Sequence, residues 1–154
     1  MNSNELNTFV IALQQQIYKL VKNNEQCDKV CLSQHGVTAS QGYAVLTLPR
    51  EGSLSMYELS EAIGITGSTM TRIVDPLVNK GLVQRKTDDE DRRIVRVSLT
   101  EQGRTLRLTL EKELQEFFKL VLGEIQDDEL QTIVDSVKKV NMAFSEAFKH
   151  CCGT

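Results

Sequence analysis

The sequence predicts a mainly α fold carrying a small β-hairpin (α+β), and three observations lead there. Apolar residues recur at intervals of three and four over long stretches at both ends of the 154-residue chain. The middle, Met56 to Gly103, reads as two short helices around a tight turn, then two short strands with a charged tip, then a new helix start. Two prolines, 25% charged and 40% hydrophobic residues describe an ordinary helix-rich globule, long enough for one domain spanning residues 1–154.

The first helix follows from Leu6, Phe9, Val10, Leu13, Ile17, Leu20 and Val21, a stripe that continues through Cys27, Val30 and Cys31 until Gly36 breaks it. Thr38 caps a second helix with Tyr43, Val45, Leu46 and Leu48 as core candidates, ending before Pro49-Arg50-Glu51-Gly52. Ser55 and Glu58 form a capping box for a third, whose face is Glu58, Leu59, Ala62 and Ile63 and which Gly64 ends. Thr66 caps a fourth, from Gly67 to about Lys80, with Met70, Ile73, Val74 and Leu77 inward and Gly81 closing it. Pro76 lies inside this helix, deletes the bond to Arg72, and bends or offsets its second half. Leu82–Lys86 and Ile94–Leu99 are rich in β-branched residues and pair as a two-stranded hairpin. Thr100 caps the next helix (Leu106, Leu110, Leu114, Phe117, Phe118, Val121), and Gly123 stops it. Gln126-Asp127-Asp128-Glu129 opens the last, with acids at its positive end and Leu130, Ile133, Val134, Val137, Val140 or Asn141, Phe144 and Phe148 on one face.

The net charge of −3 speaks against a nucleic-acid partner, but its distribution reverses that. From Arg72 to Arg107 nine Lys/Arg face six Asp/Glu, a local +3, while the remainder has nine against fifteen. Ser68, Thr69, Thr71 and Arg72 fall on the outer, N-terminal part of the fourth helix. Small hydroxyls and one guanidinium there suit a groove of double-stranded DNA, the hydroxyls meeting phosphates and the arginine a guanine. Lys86, Asp91, Arg92 and Arg93 belong to the hairpin and its tip. An Asp two residues before an Arg can hold the guanidinium in a bidentate pair and aim it at a narrow minor groove. Nothing marks an enzyme: there is no glycine-rich phosphate loop, no metalloprotease motif and no nucleophile with a recognisable base. A thiol oxidoreductase is the best of the catalytic readings, and a protein-interaction module is a third class. No apolar run approaches the roughly 18 residues of a membrane span, and the start is polar, so the cytoplasm is the expected location.

The order of these elements, with G-S-T-M-T-R, K-G-L-V-x-R, D-x-R-R and S-L-T-E-Q-G, resembles the MarR family of winged-helix repressors. The resemblance implies a winged helix-turn-helix lobe over residues 38–100 and long dimerisation helices over 1–35 and 101–150. It also implies a homodimer, a small-molecule effector held between lobe and dimer helices, and regulation of transcription. Apolar terminal stripes point to the same two-fold dimer, which would set two recognition helices one DNA turn apart on a pseudo-palindromic operator.

The cysteines are the remaining signal. Cys27 and Cys31 share a helical face, with His35 four further on if the helix lasts, and His150-Cys151-Cys152 stand near the other end. The spacing is neither C-x-x-C nor a zinc-finger pattern. If the first and last helices pair in the dimer, Cys27, Cys31, Cys151 and Cys152 meet, and soft thiolates then suit a metal such as zinc or copper(I), a metalloid or an iron–sulfur cluster. A reversible disulfide, or small buried hydrophobes beside a frayed tail, are the alternatives.

Overall fold

Each capping residue read from the sequence marks the start of an observed helix. The computed structural model describes residues 2–152, the side chain of Cys152 excepted. In chain order it contains α1 (Ser3–Ser33), α2 (Ala39–Thr47), β1 (Leu54–Ser55), α3 (Met56–Ile63), α4 (Gly67–Asn79), β2 (Val83–Thr87), β3 (Val95–Leu99), α5 (Glu101–Gly123) and α6 (Leu130–Cys152). The chain divides within α5 into two compact units, one up to Glu113 and one from Leu114 onward.

In the first unit, Thr38 and Ser55 each head a complete capping box, with Gln41 and Glu58 as the reciprocal acceptors. A third box, Asn2 with Glu5, starts α1 and had no counterpart in the sequence reading. Gly64 takes the left-handed conformation (φ 76°) that ends α3 without a Cβ penalty. The core of this unit joins Leu32 and Val37 to Val45 and Leu48 of α2, Leu59 of α3, Met70, Val74 and Leu77 of α4, and Val83, Val97 and Leu99 of the sheet. Met70, Val74 and Leu77 are buried as expected, with Ile73 packed at the margin. α4 continues unbroken past Pro76, so the proline removes one hydrogen bond without ending the helix.

Four expectations need correcting. The sheet has three strands, not two: Leu54 and Ser55 pair antiparallel with Val97 and Arg96, giving the order β1-β3-β2. A two-residue strand is too short to show any alternation, so no periodicity could announce it. Tyr43 is exposed, not core: its ring lies at the surface while its hydroxyl donates to the buried Asp28 carboxylate. Glu58 and Ala62 also face solvent, and the buried pair on α3 is Leu59 with Ser60, whose hydroxyl donates to the Tyr57 carbonyl at 2.8 Å. Finally, α1 stops at Ser33, so His35 falls in the following turn, where Nε2 lies 2.8 Å from the Glu113 carboxylate.

The K-G-L-V and S-L-T-E-Q-G segments interlock. Thr100 N–H donates to the Leu82 carbonyl (3.1 Å) and its hydroxyl to the Gly81 carbonyl (2.6 Å). The same hydroxyl oxygen accepts from Gly103 N–H at 3.1 Å, capping α5. A Cβ on Gly103 would stand 1.9 Å from the Leu82 carbonyl oxygen, so this approach of helix to strand admits only glycine.

The second unit holds the rest of α5 and α6. Phe117 and Phe118 meet edge to face at 5.7 Å, and the turn after Gly123 is closed by Ile125 N–H donating to Leu122 and Glu129 N–H to Gln126. α6 keeps its stripe uncovered within the chain, with Val137, Phe144 and Phe148 exposed, and the first two-thirds of α1 does the same with Phe9, Leu13 and Leu20.

Candidate nucleic-acid interface

α4 turns its apolar side toward the core, which leaves its first two turns to present what remains. Thr66 Oγ1 accepts from Thr69 N–H at 3.4 Å and exchanges hydroxyl bonds with Ser68 (3.2 Å) and Thr69 (2.9 Å). Thr71 donates back to the Gly67 carbonyl at 3.0 Å, a common habit of hydroxyls inside helices. Ser68, Thr69, Thr71 and Arg72 are all exposed, and Arg72 makes no ion pair or hydrogen bond among the described residues. Hydroxyls, free N-terminal amides and an unengaged guanidinium therefore share one surface. Lys80, at the far end of α4, donates to the Gly36 carbonyl (2.5 Å) and to Gln41 Oε1 (3.0 Å), pinning the helix to the α1–α2 turn.

The hairpin tip is organised by one acid that sequence reading passed over. Asp88 accepts from Glu90 N–H (2.9 Å), Asp91 N–H (3.0 Å) and the Arg96 guanidinium, while its own N–H donates to Ile94. The Arg96 guanidinium, with the two amides behind it, holds the Asp88 carboxyl down at about 2. Arg96 also approaches Glu58 at 3.8 Å, and Glu58 in turn accepts from Ser55 N–H at 2.7 Å, so the wing is tied to the start of α3. Register across the hairpin brings Asp88 and Arg96 together, and eight residues of separation hid it.

Asp91 does not grip the Arg93 guanidinium as expected. Its Oδ1 accepts Arg93 N–H at 2.9 Å, because a short aspartate side chain reaches the amide two residues on in an Asx turn. The consequence is the same orientation by another route: Arg92 and Arg93 are exposed, without ion-pair partners among the described residues. Lys86 pairs with Asp89 at 2.7 Å, but both are well exposed and the pair is weak in water. Arg85 on β2 pairs with Asp75 of α4 at 2.6 Å, bracing strand against helix.

Within the first unit, Cys27 and Cys31 come together. Both lie half-buried with sulfurs 3.7 Å apart. Burial, then the Cys31 thiol and the charge of Asp28, push the Cys27 thiol up to about 11, which keeps it protonated and a poor nucleophile near neutrality. Cys151 is exposed near the end of α6 in the second unit, and the side chain of Cys152 lies outside the described residues. Among the described residues no three His, Cys, Asp or Glu side chains converge on one point, and no helix is long and apolar enough to cross a membrane.

Two helices around a glycine turn, the second capped and outward-facing, followed by a hairpin with free arginines at its tip, define a winged helix-turn-helix protein. A family model described as "MarR family" matches residues 37–95. The uncharacterized HTH-type transcriptional regulator YdgJ of Bacillus subtilis is 29% identical over 105 residues, which span 68% of this chain but 64% of that protein's own length. The HTH-type transcriptional regulator SarZ of Staphylococcus haemolyticus is 28% identical over 71% of this chain and 73% of its own. The crystal structure of reduced MarR from E. coli superposes with a TM-score of 0.74 at 26% identity, covering 83% of this chain and 95% of that one. A mutant E. coli MarR complexed with operator DNA gives a TM-score of 0.74 at 25% identity, over 85% and 94% of the two chains. The winged helix-turn-helix lobe of this chain is therefore similar to that of MarR-family proteins.

Proposed function

We propose that this protein is a dimeric, sequence-specific DNA-binding regulator of transcription, acting as a repressor on a pseudo-palindromic operator. The single observation that carries the reading is the outer surface of α4: four polar side chains that no core contact explains, with Arg72 unpaired, beside a wing whose two arginines point into solvent. Ser68, Thr69 and Thr71 then contact phosphates, Arg72 reads a base in the major groove, and Arg92 and Arg93 enter the flanking minor groove. Lys86 exchanges Asp89 for a phosphate. The family's structures include one with operator DNA, and the curated relatives are named transcriptional regulators; the proposal assigns this chain no catalytic step.

A second copy covers the exposed stripes of α1 and α6. Phe9 is 65% and Phe148 70% exposed in the single chain, and apolar faces of that extent are normally buried against a partner. The DNA affinity of the dimer is switched by a small-molecule effector, a metal or a thiol event near these helices, because a slight rotation of the two lobes takes both α4 helices out of groove register. Equilibrium binding to random-sequence and operator-containing duplexes, measured across salt concentrations, tests the reading. Binding should fall steeply as salt rises, in proportion to the phosphates contacted. A salt-independent interaction, or none in dilute buffer, would reject it.

A further inference from the structure

Cys27 and Cys31 sit one turn apart on α1, half-buried but reachable, with Sγ atoms 3.7 Å apart. That separation is a constraint on what the pair can hold. A pyramidal trivalent centre binding both sulfurs at about 100° through bonds of about 2.3 Å sets them roughly 3.5 Å apart, a small side-chain rotation from the observed separation, whereas a linear centre with the same bonds needs about 4.6 Å. A disulfide would require closure to about 2 Å and an oxidant that nothing here supplies. Among the described residues no third ligating side chain joins the pair. The fitting centre is therefore soft, angled, and satisfied by two protein thiols because it brings its remaining substituent with it.

We propose that Cys27 and Cys31 form a bidentate dithiol site for a trivalent arsenical carrying one carbon substituent. The step needs no electron transfer. An R–As(OH)2 species loses its two As–O bonds and gains two As–S bonds, and each thiol proton departs with a hydroxide as water. Arsenic stays trivalent, and neither sulfur is oxidised.

The position of the site gives its occupation a consequence. Asp28 lies between the two cysteines, only 4% exposed, and accepts from Asn24 Nδ2 (3.0 Å) and from the Tyr43 hydroxyl of α2. α2 packs in turn on α3 and α4. An arsenical bridging the turn on either side of Asp28 bears on the joint that ties α1 to α4. This consequence rests on the proposed DNA-binding function; the chelation itself does not.

The full chain with Cys151 and Cys152 both replaced by alanine isolates the pair. Reduced and titrated with phenylarsine oxide, it should give one adduct per chain by intact mass, with both remaining thiols consumed. Adding Cys27→Ala, or separately Cys31→Ser, should weaken capture about 100-fold or more, since the second bond is intramolecular; circular dichroism verifies that each variant is folded. No adduct, an adduct indifferent to either substitution, or saturation of the pair by cadmium alone while the arsenical is refused would overturn the assignment. Operator binding with and without the probe separates the two layers. An adduct that leaves DNA affinity unchanged removes the coupling to α4 and keeps the site. A probe-free chain that ignores duplexes removes the DNA reading and again keeps the site.

Discussion

Arg72 and Arg93 are exposed, and neither has an ion-pair partner among the described residues. Arg72→Ala should cost about 1–3 kcal/mol of discrimination at one base position, read as the difference in affinity between operators altered at that position. Arg93→Ala should lower affinity for all duplexes and flatten the preference for a narrow minor groove. Variants that bind like the parent would refute these assignments and leave the fold untouched. Asp88 acts one step removed, through the backbone it holds. Its carboxyl is depressed to about 2 by Arg96 and the turn amides. A depressed carboxylate contributes order fully above its unfolded value, near 3.9, and loses that contribution as pH falls toward the folded value. Amide resonances of Glu90 and Asp91 should therefore stay put from neutral pH down to about pH 4 and move only below it. Asp88→Asn should loosen the same amides at every pH and weaken DNA binding without altering the lobe core.

At the scale of elements, the seam between β2 and the start of α5 is where the fold tolerates least. Thr100 closes it with bonds to Gly81, Leu82 and Gly103, and Gly103 permits the approach. Gly103→Ala should destabilise the protein by about 3 kcal/mol or more, because the obstructing atom is a backbone carbonyl that cannot swing aside. Thermal or denaturant unfolding measures it, and a midpoint within error of the parent would contradict the close contact. By contrast, Gly67 has open space around its Cβ position, so Gly67→Ala is the control substitution.

On the scale of the whole molecule, a single chain leaves large apolar side chains uncovered. Phe9, Leu20, Phe144 and Phe148 are each more than half exposed, and they recur along helices at the two ends of the chain. Phe9→Glu with Phe144→Glu should convert the proposed dimer to a monomer by sedimentation velocity and lower operator affinity by at least 100-fold, since two half-sites must then be bound separately. A parent chain that sediments as a monomer would remove the two-fold model and the operator symmetry that follows from it.

Periodicity, caps and glycines along the chain already contained the six helices, the hairpin and the residues facing outward from α4, because these depend on interactions within four residues of sequence. Thr38, Ser55 and Thr66 each cap the helix they precede for that reason. The features that escaped depend on contacts between distant segments. β1 exists through its register with Val97, the Tyr43 hydroxyl meets the buried Asp28 of α1, and Asp88 orders the wing through Arg96. Even the cysteine pair divides this way: four-residue spacing on one helix face was legible, whereas the 3.7 Å between the sulfurs and the buried carboxylate beside them arose only when α2 packed against α1. Local sequence decides which elements form and which faces they offer; tertiary packing decides which polar groups meet, because those energies exist only once the chain has closed on itself.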